Sequence, residues 1–145
     1  MPRRVTVDGG QVGYRQSISV GKHRLIADES LDAGGNDAGA NPYELLLAAL
    51  GACTSMTVRM YADRKQWPLE DVHIELSYEG FSAEDCASCD GRVTMVETIE
   101  MELSFSGDLS ENQRQRLMEI AKRCPIHRTL GSPIQIRTRP AYALV

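Results

Sequence analysis

Aromatic side chains are scarce, at 6% of the 145 residues. A core of this size must therefore be filled by Leu, Val, Ile, Ala and Met. Basic residues are not in excess: 16 Lys and Arg stand against 20 Asp and Glu, for a formal net charge of -4. Binding nucleic acid by phosphate neutralisation needs a basic face, so nucleic acid is not an expected partner. Long apolar runs are missing too. The longest, Leu45 to Leu50, is far short of the roughly 20 residues that a membrane span needs. The basic start Met1-Pro2-Arg3-Arg4 lacks an apolar h-region, so neither a signal peptide nor a membrane partner is expected. There is no internal repeat and no low-complexity segment.

What is present suits one soluble domain over residues 1–145, with 42% hydrophobic and 25% charged residues. The expected location is the cytoplasm. In that compartment the 4 cysteines fit reduced, catalytic or metal-bound states better than structural disulfides.

The pattern of elements is α+β. Val5 and Val7, then Ile18 and Val20, then Leu25-Ile26 alternate around the turn signals Asp8-Gly9-Gly10 and Gly21-Lys22, which predicts a three-strand meander. A loop rich in Gly, Asp and Asn follows, from Glu29 to Ala40. Asn41 as N-cap and Pro42 at the first helical position open a helix to about Lys65, which Trp67-Pro68 closes. Its first half is apolar on nearly every side, so it should be buried all round, with a second subunit supplying part of the cover. Val72 to Tyr78 reads as a strand, Ser82 to Arg92 as a polar loop, and Val93 to Phe105 as a strand with Ile99, Met101, Leu103 and Phe105 on one face. Ser110 with Gln113 forms a capping box for a helix striped by Leu117, Ile120 and Ala121. A short helix from Pro125 to Gly131 and a final strand from Pro133 to Thr138 complete the expectation.

The thiols carry the chemistry. A pair that folding brings together can take two electrons from a substrate and store them as a disulfide. Cys124 lies in Lys122-Arg123-Cys124-Pro125-Ile126-His127-Arg128. Pro125 suggests that Cys124 caps a helix, and the dipole with Lys122, Arg123 and Arg128 would favour its thiolate. Otherwise it is a small buried cap residue. Cys53 lies mid-helix without a nearby charge, and local sequence alone reads it as an inert core residue. Cys86 and Cys89 form a C-x-x-C among carboxylates, which would raise their pKa. Together with Cys124 and His127 they also make a Cys3His zinc ligand set, though with an unusually long gap between halves.

Two segments, Asn41-Pro42-Tyr43-Glu44-Leu45-Leu46-Leu47-Ala48-Ala49-Leu50-Gly51-Ala52-Cys53 and Cys124-Pro125-Ile126-His127-Arg128, resemble the two cysteine motifs of the OsmC/Ohr family of hydroperoxide reductases. The order of elements is also similar. The resemblance implies an intertwined homodimer that reduces organic hydroperoxides without a bound cofactor or metal. It implies that Cys53 attacks the peroxide and becomes a sulfenic acid, that Cys124 resolves it to a disulfide, and that an external lipoyl-type dithiol reduces the pair. It further implies an arginine that holds the thiolate, matched here by Arg15, and a glutamate that orients the arginine. The family's Asn-Pro-Glu has Tyr43 in the glutamate's place. Glu44 follows one residue later, about 100° around the helix, so either Glu44 serves from there or the arginine is held differently. The other readings are a zinc-stabilised protein and a binding protein that keeps the fold without the chemistry.

Overall fold

The computed structural model describes residues 3–80 and 97–141. In chain order the elements are β1 (Val5–Asp8), β2 (Gln16–Val20), β3 (His23–Ala27), a 3-10 turn (Leu31–Ala33), α1 (Pro42–Lys65), β4 (Leu69–Gly80), β5 (Glu97–Gly107), α2 (Glu111–Ala121) and α3 (Pro125–Leu130). The architecture is the expected α+β. Cys86 and Cys89, the Ser82 to Arg92 loop and the first part of the Val93 to Phe105 strand lie outside the described residues.

Contacts gather the chain into two compact units, Met1–Ala49 with Leu76–Glu100, and Leu50–Glu75 with Met101–Val145. In the first, β1, β2 and β3 form the antiparallel meander, with Val7 opposite Ile18 and Ile18 opposite Leu25. The β2–β3 hairpin turns on two residues between Val20 and His23, and Gly21 takes the positive φ of 57° that such a tight turn demands.

The loop after β3 is organised by one side chain. Asp28 is 2% exposed and accepts backbone N–H bonds from Glu29 (2.8 Å), Asn36 (3.2 Å) and Ala38 (3.1 Å). The Asp28 N–H in turn donates to the Ala40 carbonyl at 3.2 Å, beside a bridge between Ala27 and Ala40. This loop hands the chain to α1.

The second unit holds the core. Val58, Ala62, Leu69, Leu117 and Ala121 are buried together, with Tyr61, Trp67, Val72, Leu103, Phe105 and Leu109 packed against them. On α1 the buried positions Leu50, Thr54, Val58 and Ala62 recur every fourth residue, the stripe that one side of a helix presents to a core. β4 and β5 form a two-stranded sheet, and β5 half-buries Ile99, Met101, Leu103 and Phe105 in alternation as the sequence pattern requires. The Ser110–Gln113 capping box forms at the start of α2, with bonds of 2.8 and 3.1 Å.

Within one chain the first half of α1 is covered on one side only, with Ala48, Ala49 and Ala52 exposed; the expected cover there included a second subunit. By length and composition alone α1 could cross a membrane, but its buried stripe is spent on the core. One expectation fails: no strand forms from Pro133 to Thr138, and these residues are exposed and carry no ladder. A strand exists only through a partner's backbone groups, and none of the described strands pairs with it.

Candidate active site

The second unit brings Cys53 and Cys124 together. α1 sets Cys53 beside the buried Leu50–Thr54–Val58 stripe, where it is half-buried. The Thr57 hydroxyl donates to the Cys53 carbonyl at 2.8 Å, which ties down that turn. Cys124 arrives from the other direction. After α2 the chain turns through Arg123 N–H to Ile120 carbonyl (2.9 Å) and Cys124 N–H to Ala121 carbonyl (3.4 Å). Cys124 then becomes the N-cap of α3 with Pro125 at the first helical position, as expected, and its carbonyl accepts the first helical bond from Arg128 at 3.1 Å. Its side chain is 0% exposed.

The two thiols lie close enough that each shifts the other's acidity. Burial pushes the Cys53 thiol up, and its bond to Cys124 pushes it further, against smaller pulls from the Ile126 N–H and the Thr57 hydroxyl. Burial also opposes ionisation of Cys124, but the Cys53 S–H, the His127 N–H, the Thr54 hydroxyl and the Ile126 N–H together hold it below the ordinary thiol range. The two N–H groups belong to the first turn of α3, although neither closes a full capping hydrogen bond. Cys124 is thus the more acidic thiol, as local sequence suggested, but for another reason. Lys122, Arg123 and Arg128 are exposed and are not among the main causes, because water screens charges there.

The remaining site candidates lie in the first unit. Glu44 is exposed and closes a reciprocal capping box with Asn41: the Glu44 N–H donates to Asn41 Oδ1 at 2.8 Å, and Glu44 Oε1 accepts the Asn41 N–H at 2.9 Å. The Asn-x-x-Glu spacing at a helix start was the readable signal for this. Tyr43 stacks on Tyr78, with centroids 4.6 Å apart and planes at 28°. Arg15 is exposed and immediately precedes β2. Gln16 pairs with Ala27 at the end of the β2–β3 ladder, so Arg15 and Asp28 are the next residues on facing strands. Hydrogen bonds from Ala38, then Glu29 and Asn36, and the charge of Arg15 outweigh burial and hold the Asp28 carboxyl below its usual range. Sequence reading missed Asp28, because its three donors are assembled by a loop rather than by any motif. His127 is exposed on α3. Among the described residues no group of three His, Cys, Asp or Glu side chains could hold a metal; half of the candidate zinc set lies outside them.

The OsmC-like protein family model matches residues 34–139, and the chain belongs to that family. No curated protein matches the chain. Solved structures agree in fold. An OsmC-like protein from Mycoplasma pneumoniae is similar at TM-score 0.70 and 19% identity, over 90% of this chain and 88% of that one. An organic hydroperoxide resistance protein OsmC from Legionella pneumophila is similar at TM-score 0.66 and 19% identity, over 90% and 89%. An OsmC-like protein of unknown function from Vibrio cholerae is similar at TM-score 0.68 and 14% identity, over 89% and 93%.

Proposed function

We propose that this protein reduces organic hydroperoxides through Cys53 and Cys124. The observation that carries the reading is that one unit brings Cys53 and Cys124 close enough for each to shift the other's acidity, and a disulfide between them would store the two electrons taken from a peroxide. The family to which the chain belongs, and the name of the Legionella relative, support the same chemistry.

The more accessible Cys53 is the peroxidatic residue. Its thiolate attacks the peroxide oxygen distal to the alkyl group. A sulfur–oxygen bond forms, the oxygen–oxygen bond breaks, and the alkoxide leaves as alcohol after taking a proton. Cys124 then attacks the Cys53 sulfur, and the sulfenic oxygen departs as water after protonation. An external lipoyl-type dithiol returns the pair to thiols by exchange. Burial works against the Cys53 thiolate, so this reading needs a cation, the role that the family resemblance gives to Arg15. The Asn41 bond occupies one oxygen of Glu44, and the other remains for orienting Arg15. The working form is a cytoplasmic homodimer. Met56 and Met60 stand 60% and 62% exposed one turn apart on α1, and the Pro133–Thr138 segment has no strand partner among the described residues; a second copy would cover both.

Intact-mass and peptide mapping before and after one equivalent of an alkyl hydroperoxide tests the reading. The expected product is a Cys53–Cys124 disulfide in the parent and a trapped sulfenic acid in Cys124→Ser. Full peroxide-dependent thiol oxidation in Cys53→Ser would end it. The capping role of Glu44 favours one other reading, an OsmC-fold binding protein without turnover. Ready turnover of tert-butyl hydroperoxide with a lipoyl dithiol would dispose of that alternative.

A further inference from the structure

Among the described residues cations gather over one aromatic ring, that of Tyr61 on α1. The ring is half-buried against the core of the second unit. Arg116 of α2 donates from Nε to the phenol oxygen at 3.0 Å, and its guanidinium carbon lies 5.5 Å from the ring centroid. Lys65, one turn further along α1, sets its ammonium 5.8 Å from the same centroid. Trp67 meets the ring edge-on, with centroids 5.5 Å apart and planes at 74°. Glu119 holds Arg116 from the other side at 2.8 Å.

Packing alone does not call for a hydroxyl there. Phe would keep the ring on the core, the Trp67 contact and the cations over the face. What the phenol adds is an acceptor that can ionise. A guanidinium only donates, and its bond strengthens when the oxygen it meets carries charge. The Arg116 bond, with the charges of Arg116, Lys65 and Arg123, therefore outweighs burial and holds the Tyr61 phenol below the usual tyrosine range. The other described tyrosines differ. Tyr14 and Tyr43 are 56% and 53% exposed, and no described cation lies over either ring. Tyr78 stacks on Tyr43, and the Glu97 carboxylate with burial holds its phenol above the usual range.

We propose that Tyr61, held by Arg116 and overlain by Lys65, is a modification site, nitrated by the radicals that peroxynitrite and carbon dioxide generate. The proposal stands apart from the thiol chemistry above. Peroxynitrite with carbon dioxide supplies both reactants, carbonate radical and nitrogen dioxide. A phenolate gives up an electron to such oxidants more readily than a phenol, because no proton has to leave with it. Carbonate radical takes one electron from the Tyr61 phenolate and becomes carbonate. Nitrogen dioxide then bonds to the ring carbon next to the one that carries the oxygen. The hydrogen on that carbon leaves as a proton, passes through water to the phenol oxygen, and the aromatic ring is restored. The ring has lost two electrons, one to each radical. The nitro group draws electrons from the ring and favours the charged oxygen further, so Arg116 keeps its partner in the product.

The test treats the folded full chain with limiting peroxynitrite in excess bicarbonate, which diverts the oxidant from the thiols, and maps the peptides. Tyr61 should carry the nitro group several-fold more often than Tyr14 or Tyr43, although both are more exposed. Tetranitromethane, which attacks phenolates, should give the same order. Visible absorbance of the nitrated chain should titrate about one unit below free nitrotyrosine. Arg116→Gln should bring Tyr61 nitration down to the level of Tyr14 or lower. Glu119→Gln removes the carboxylate that competes for Arg116 and should keep or raise it. Tyr14 or Tyr43 nitrated ahead of Tyr61 in the parent overturns the proposal, and that comparison needs no variant. An Arg116→Gln chain that melts with the parent and is nitrated at Tyr61 as readily overturns it too, because the ring's position rather than its charged partner would then be at work.

Discussion

Cys53, half-buried on α1, and Cys124, buried at the N-cap of α3, lie close enough that each shifts the other's acidity. The two titrations are therefore coupled, Cys124 pushing Cys53 up and Cys53 pulling Cys124 down. One thiol is partly open to solvent and the other is screened from it.

Removing Cys124 should lower the Cys53 pKa. In Cys124→Ala the Cys53 thiol loses the partner that stabilises its neutral form, so its pKa should fall. Mass-mapped alkylation of Cys53 against pH should show a midpoint below that of the parent, by up to about one unit if the bond is of ordinary strength. A midpoint that stays or rises would mean that burial alone sets it.

Glu44 offers a separation of stability from catalysis. Gln can close the same capping box, so Glu44→Gln should melt with the parent, whereas Glu44→Ala should lose about 1 kcal/mol. If Glu44 also orients Arg15, Glu44→Gln should still lose peroxide turnover, because an amide cannot anchor a guanidinium as a carboxylate does. Unimpaired turnover in Glu44→Gln would confine the residue to the cap.

Asp28 should make stability depend on pH. Its folded pKa lies below the ordinary value, chiefly through the Ala38 N–H bond. Its contribution is therefore present above the unfolded pKa of about 3.9 and fades as pH falls through the lower folded value. Asp28→Asn should melt below the parent at neutral pH, and the gap should narrow as pH drops under about 4. Melting curves over that range check the sign; a gap that widens on acidification would contradict it.

The exposed methionines bear on assembly. If a second copy covers Met56 and Met60, Met56→Asp should shift the protein from dimer to monomer in sedimentation. A charge buried without a partner costs several kcal/mol at an interface. A parent that sediments as a monomer at micromolar concentration would remove the homodimer from the proposal.

Much of this was legible along the chain because the signals are local. Asn41 with Pro42 opens α1, Ser110 with Gln113 opens α2, Cys124 with Pro125 opens α3, and the Gly21-Lys22 pair turns the β2–β3 hairpin. Each depends on groups within four residues of one another, so order alone specifies them. The strand read at Pro133–Thr138 failed for the complementary reason. Alternation shows that a segment can pair, and pairing needs a neighbour that the alternation does not provide.

The thiols divide the same way. Residue order set the identity of both cysteines, the cap position of Cys124 and the helical position of Cys53. It could not say that Cys53 and Cys124 shift each other's acidity, or that Asp28 gathers N–H groups from Asn36 and Ala38. Those facts join residues distant along the chain through bonds only a few ångströms long. A pKa depends on what lies within that radius, whichever part of the chain delivers it, so the acidity of each group was decided by the packing of the folded chain.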